Sequence, residues 1–392
     1  MVSEASEIFK GCDGENVYCT TMIRSERIQK FVEEIWAWYS RHKRTLPWRD
    51  LTIKDDAERA YRILVSEVML QQTQVSRVIV IYKRFLRQFP RLQDLARASN
   101  RDVIMAWRGM GYNSRALRLR DATKTIANAY RGHFPQDIES LRSIPGIGPY
   151  TAAALLNFAF NIPTPCLDTN IRRILHRTFF GPEKADGTWR VDDKKLLKVV
   201  GEALHVATQA CHPEGSRLCG SRRSPLRLRS LTMTQPGSSR TGDMRHMKYD
   251  AANWHAALMD FGSLVQTKSN PKWNICPLTA KGIMKTNSEN FPLPSVRPVH
   301  RSLGEGGSPL SSVLREPGRY IGSTFVPNRI FRGRIVEALR DVPEGLTLSE
   351  LGKRICIDWS PPEQHEWLSG LLEKLKRDSL LSMRKQQYIL AH

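Results

Sequence analysis

Long apolar runs are missing from this chain. No stretch of about 18 apolar residues occurs, so no transmembrane helix is expected. The opening, "MVSEASEIFKGCDGENVYCTT", lacks a basic start followed by an apolar core, so no secretory signal is expected. Compact cysteine patterns are missing too. The seven cysteines (Cys12, Cys19, Cys166, Cys211, Cys219, Cys276 and Cys356) are odd in number and widely spread. That excludes a small disulfide framework and fits reduced thiols in a cytoplasmic protein. Acid is scarce relative to base, with 39 Asp and Glu against 60 Lys and Arg and a net charge of +21. Such an excess suits a polyanion, nucleic acid first. A basic surface that binds nothing is the other reading.

What is present is helical pattern. From about residue 25 to 208 the apolar residues recur at helical spacing, as in "ERIQKFVEEIWAWYSRH", "SRVIVIYKRFLRQF" and "TAAALLNFAF". Pro and Gly punctuate the joints, and no run alternates like a strand. Residues 1–24 read as a tail and 25–210 as the first part of an all-α domain. Residues 211–248 are rich in Ser, Arg, Gly and Pro and read as a basic insertion. The domain ends over 249–286, and 287–322 reads as a linker or second insertion. Either weak segment binds nucleic acid through its arginines or is tolerated spacer. Three helices and a short alternating hairpin over 323–392 predict a winged-helix-like α+β module. The length allows two or three domains with sizeable cores.

The most specific stretch is "LRSIPGIGPYTAAALLNFAF", residues 141–160. A helix end, a Pro-Gly-Ile-Gly turn and a new helix make a helix-hairpin-helix. Gly146 and Gly148 are expected to let the backbone turn tightly and approach a ligand closely. The new helix then points unpaired N–H groups at a phosphate. A plain Gly-rich turn is the alternative. In "CLDTNIRRILHRTF", Asp168 precedes an apolar-periodic helix and suits an N-cap. In "LVSEVMLQQTQV", Glu67 and a polar Gln-Gln-Thr-Gln cluster interrupt an apolar run. Glu67 sits among Val65, Val68, Met69 and Leu70, where desolvation favours a proton-carrying carboxyl. A solvated helix face is the plain alternative.

Together these motifs resemble the helix-hairpin-helix base-excision DNA glycosylases, the superfamily that includes endonuclease III. "SEVMLQQTQV", "LPWR" at 46–49 and "GMGYNSRALRL" at 109–119 resemble its MutY-type adenine DNA glycosylases. The resemblance implies a mainly α fold in two lobes, a helical barrel over about 52–160 and a second lobe built from the N-terminal helix and the segments after 161. It implies double-stranded DNA containing a mismatch as partner, a monomer, and a nucleoid location. Glu67 matches the general acid that protonates adenine at N7. Asp168 matches the ionised carboxylate that stabilises the positive sugar. Tyr150 stands where strand-nicking relatives carry a Schiff-base lysine, which implies a monofunctional enzyme. Asn170 matches a polar active-site residue. Gln72 and Thr73 match residues that enter the duplex where a base has been flipped out. Tyr112 matches the wedge beside the opposite base, and Arg49 and Arg115 are expected to contact phosphates.

The chain also departs from the family. Gln266, Trp273 and Gly282 stand where three of four cluster cysteines are expected, and Cys276 alone remains. No iron–sulfur cluster and no metal are therefore expected. Thr169 replaces a common Gly, and Asn113 replaces a usual Tyr. No Nudix-like pattern, the usual checker of 8-oxoguanine, appears in 319–392. The leading reading is removal of adenine opposite 8-oxoguanine or guanine. A thymine or uracil mismatch glycosylase is the nearest alternative, and a non-catalytic mismatch-binding protein is the alternative from another class.

Overall fold

The structure is a computed structural model that describes residues 15–49, 52–184, 188–209, 249–291 and 317–392. The basic segment 211–248, with Cys211 and Cys219, lies outside the described residues, as do residues 1–14 and most of the 287–322 linker.

The chain is mainly helical. In order come α1 (Glu15–His42), α2 (Asp56–Leu70), α3 (Val75–Gln88), α4 (Leu92–Arg97), α5 (Asn100–Ala106), α6 (Ser114–Ala129), α7 (Ile138–Ser143) and α8 (Pro149–Phe160). Then follow α9 (Thr169–Leu175), α10 (Asp193–Gln209), α11 (Ala251–Leu264) and α12 (Pro277–Ala280). Short polar side chains start many of them. Asp55, Ser99, Asp137, Asp168 and Asp250 each accept a backbone N–H from the first turn that follows. Each satisfies a donor that the helix itself leaves unpaired.

The described residues form two compact units, 15–44 with 156–291 and 45–155 with 317–392. In the first, α1 packs on α10 and α11 through an aromatic core. The Trp254 ring lies 5.4 Å from Trp36 and 6.1 Å from Phe31. In the second, α2 runs through the middle of the helical barrel, with Ala60 through Met69 buried on nearly every side.

The second unit also holds the C-terminal module. Strands β1 (Gly318–Ile321) and β2 (Thr324–Pro327) pair antiparallel ahead of α13 (Asn328–Arg340), α14 (Leu348–Ile355) and α15 (Pro361–Arg377). Strands β3 (Leu381–Arg384) and β4 (Gln387–Leu390) close the chain as a hairpin, and Leu346 bridges Tyr388. Helix, bridge, helix, helix, hairpin is a winged-helix order. The first hairpin begins inside the stretch that reads as linker, because its Gly318 and Arg319 carry no strand signal. The module core of Phe331, Ile335, Leu339, Leu368 and Leu372 is continuous with Ile104 and Leu117 of the barrel.

Candidate active site

In the second unit, Glu67 lies on the buried part of α2, three residues before its end, and is 6% exposed. Its Oε2 accepts a hydrogen bond from the Tyr150 hydroxyl at 2.8 Å. Tyr150 sits in the first turn of α8, directly after the hairpin turn. Gly146 in that turn has φ +93°, and a Cβ there would lie 3.0 Å from the Arg118 carbonyl oxygen. A side chain at 146 is therefore excluded both by backbone and by contact. Gly148 has no such need. It is exposed, lacks a positive φ, and a Cβ would meet nothing within 4 Å. The expectation that both glycines make the turn is thus corrected. Gly146 makes the turn, and Gly148 keeps the surface low.

Two polar residues at the mouth of the barrel are held in left-handed backbone. Gln72 has φ 55° and Tyr112 has φ 47°. Neither residue type favours that region, and such strain persists where neighbours over-determine it. Gln72 is exposed, and so is the Tyr112 ring, at 47%.

Arg115 is what determines them. It is 4% exposed, and its Nη1 donates to the carbonyls of Val68 (2.9 Å), Met69 (3.2 Å) and Gln71. Its Nη2 reaches Thr73 Oγ1 at 3.1 Å and the carbonyls of Met110 (3.4 Å) and Gly111 (3.3 Å). The guanidinium thus caps the open carbonyl end of α2 and ties it to the 110–112 turn. Its carbon lies 5.5 Å from the Tyr112 ring and 5.6 Å from Trp107. Burial pushes its pKa down to about 10. Arg115 is therefore not the phosphate contact that its sequence context suggests. Its donors are turned inward on six acceptors. Arg49 is half-buried in the turn after Trp48.

In the first unit, Asp168 caps α9. Its Oδ1 accepts from Ile171 N at 2.6 Å, and its Oδ2 from Asn170 Nδ2 at 2.8 Å. Arg173 supports Asn170 from below, donating to its Oδ1 at 2.7 Å and to the Gly262 carbonyl at 2.7 Å. A Cβ on Gly262 would lie 2.6 Å from Asn170 Cβ, so only glycine lets α11 come this close. Burial pushes the Asp168 carboxyl up, while the two hydrogen bonds and Arg173 oppose that rise. The sequence reading of a readily ionised carboxylate misses this burial cost. The same burial pushes Arg173 down to about 10, so desolvation dominates for both partners.

A family model described as "HhH-GPD superfamily base excision DNA repair protein" matches residues 65–195. The adenine DNA glycosylase of Mycolicibacterium smegmatis is 30% identical over 339 residues, covering 86% of this chain and 89% of that protein. The chain belongs to the MutY-type adenine DNA glycosylase family. The mouse adenine DNA glycosylase is 44% identical over 364 residues, covering 89% of this chain and 64% of that protein. The human one is 42% identical over 154 residues, 38% of this chain and 28% of that protein.

In this family member the loop that resembles a cluster site is filled by side chains. Gln266 is fully buried and donates from Nε2 to the Cys276 sulfur at 3.4 Å. A π-helical turn, His176–Phe180, carries Arg177 inward. Arg177 is fully buried, pairs with Glu183 at 2.8 Å, and donates to Gln266 Oε1 at 3.3 Å and to the Thr267 carbonyl at 2.9 Å. Its guanidinium carbon lies 4.6 Å from the Phe291 ring, which meets Trp273 edge-on at 5.5 Å. One thiol among an amide, a guanidinium and two aromatic rings is not a donor set for a four-thiolate cluster.

The sequence reading missed Arg173, Arg177, Gly262 and the bracketing role of Arg115. A signal existed for two of them. Arg173 and Arg177 are four residues apart on the face shared with Ile174, an apolar stripe where an arginine has to find buried acceptors.

Proposed function

We propose that this chain is a monofunctional adenine DNA glycosylase of base excision repair, acting as a monomer on adenine opposite 8-oxoguanine or guanine in duplex DNA. The observation that carries the reading is the buried Glu67 carrying the Tyr150 hydroxyl at 2.8 Å, at the foot of the hairpin. A carboxyl shielded from water can hold a proton and deliver it to adenine N7. The N9–C1′ bond then breaks, its electron pair leaving with the protonated base. Asp168, fixed by Ile171 N and Asn170, stabilises the positive sugar by charge or by a transient bond. Water adds at C1′, giving up a proton to solvent, and leaves an abasic site. A phenol at position 150 cannot form a Schiff base, so the strand stays intact. Gln72 and Thr73 enter the duplex where the base has been flipped out, and Tyr112 wedges beside the opposite base.

The protein also works without an iron–sulfur cluster, its loop being held by the Arg177, Gln266 and Trp273 packing. Iron and acid-labile sulfide analysis of anaerobically purified protein is expected to find neither. Stoichiometric iron would overturn this part.

The deciding experiment is single-turnover base release from four duplexes: A opposite 8-oxoguanine, A opposite G, T opposite G and U opposite G, each with and without alkali. Adenine release, with strand breaks only after alkali, is expected. Release of T or U would replace the substrate and keep the carboxylate chemistry. Tight mismatch binding with no release would leave a binding protein.

A further inference from the structure

A cleft of about 470 Å³ opens beside the two strained residues of the barrel mouth. Gln72, Arg77 and Tyr112 line it from the barrel, and Arg329, Ile330 and Arg332 line it from the start of α13. Asp378 is the one carboxylate among its lining residues. Its size is that of sites which enclose a small-molecule-sized group, such as one base with its sugar. Its charge suits a phosphodiester, and the exposed Ile330 and Tyr112 offer apolar surface to a base.

The module that supplies half of this cleft is fastened to the barrel. Arg108 donates to both carboxylate oxygens of Asp341 at 3.0 and 2.8 Å and to Glu337 at 2.7 Å. Those pairs are exposed and individually weak. Arg340 is buried, and its Nη2 donates to the Ile104 carbonyl at 3.0 Å and to Asn113 Oδ1 at 3.1 Å. Asn113 directly follows Tyr112 in the wedge turn. The third helix, which many winged-helix modules insert into DNA, is unsuited here. The exposed first half of α15 carries Glu363 and Glu366, which repel phosphate.

We infer that the module offers DNA its first helix rather than its third, and that the cleft between α13 and the wedge residues takes the estranged base opposite the adenine with its flanking phosphates. This rests on the adenine glycosylase reading. Arg329 and Arg332 contact the backbone, and Arg340 is a positioning residue that sets the wedge turn through Asn113.

The test uses the full chain carrying Arg329→Ala with Arg332→Ala, and separately Asp378→Lys. Binding to an A opposite G duplex is measured against salt, and hydroxyl-radical footprints are taken on each strand. Loss of two phosphate contacts is expected to reduce the salt slope by about 1.8 and weaken binding at least about tenfold at low salt. Protection of the strand opposite the adenine is expected to vanish while the adenine strand stays protected. Asp378→Lys is expected to tighten binding and steepen the slope. Unchanged slopes and footprints in both variants would overturn the inference. Failure of the wild-type protein to release adenine would instead overturn the glycosylase reading, and the footprints would still decide whether the cleft holds DNA.

Discussion

Replacing Arg115 by methionine should cost stability and mismatch discrimination while leaving general DNA affinity in place. The side chain serves six acceptors from two amino groups. Several share a donor, so two to three effective charge-assisted bonds at about 1.5–3 kcal/mol each is a fair count, roughly 3–9 kcal/mol gross. Methionine fills much of the volume and removes the cost of burying a charge, which brings the net loss to about 2–4 kcal/mol. For a unit of this size, that lowers Tm by roughly 5–15 °C. Freed of its bracket, the backbone at Gln72 and Tyr112 relaxes out of the left-handed region, and the wedge blurs. The assay is thermal unfolding, together with Kd for mismatched and fully paired duplexes across a salt series. The mismatch preference should fall at least about tenfold, with the fully paired Kd and its salt slope unchanged. Arg115→Lys should fall between, because a point charge cannot serve both clusters. The reasoning fails if both duplexes weaken equally and the salt slope drops by about one, since that is the behaviour of a phosphate contact.

Asp168→Asn should abolish base release and keep the N-cap, because Asn caps a helix as well as Asp. The Asp168 carboxyl is raised by burial, so above the ordinary value of 3.8 the unfolded chain releases its proton first and the fold loses stability as pH rises to the folded value. The Asn variant is spared this loss, so its Tm should exceed that of wild type at pH 7 and converge with it near about pH 3; a lower Tm at pH 7 would refute the burial argument. The same raised carboxyl should place the acidic limb of the single-turnover rate above the ordinary carboxylate range. Tyr150→Phe removes the hydroxyl on Glu67 and should slow excision by roughly tenfold, the worth of one such bond, without creating any alkali-independent strand breaks. His255 is fully buried and pushed down to about 4. The unfolded chain therefore takes up its proton first, and about 3 kcal/mol of stability is lost as pH falls from 6.5 to 4. His255→Phe should flatten the stability profile measured over that window.

The candidate site was legible in its local geometry, where it is written in short segments. The hairpin, Asp168 as a helix cap and Glu67 in an apolar run each need only a few neighbouring residues to be recognised. The supports were not legible, because each joins residues far apart. In a chain with 60 Lys and Arg, an arginine near a wedge reads as a surface cation. Only the fold reveals that the acceptors of Arg115 are five carbonyls and a hydroxyl up to 47 residues away. Asn113 looks like a family departure until Arg340 is found against it. The mainly α architecture follows from periodicity. Hairpin β1–β2 does not, because four-residue strands flanked by Gly-rich sequence carry too little pattern.

The long reach of these supports has a consequence for synthesis. Asp168 leaves the ribosome well before Gly262 and the Gln266 carbonyl, which accepts from Arg173 at 2.5 Å. Asn113 precedes its partner Arg340 by 227 residues, which at about 5–20 residues per second is roughly 10–45 s of translation. The candidate site residues are therefore made first and braced last. A nascent chain carries Asn113 and Arg173 before their partners exist, so the bracing around the candidate site is completed late.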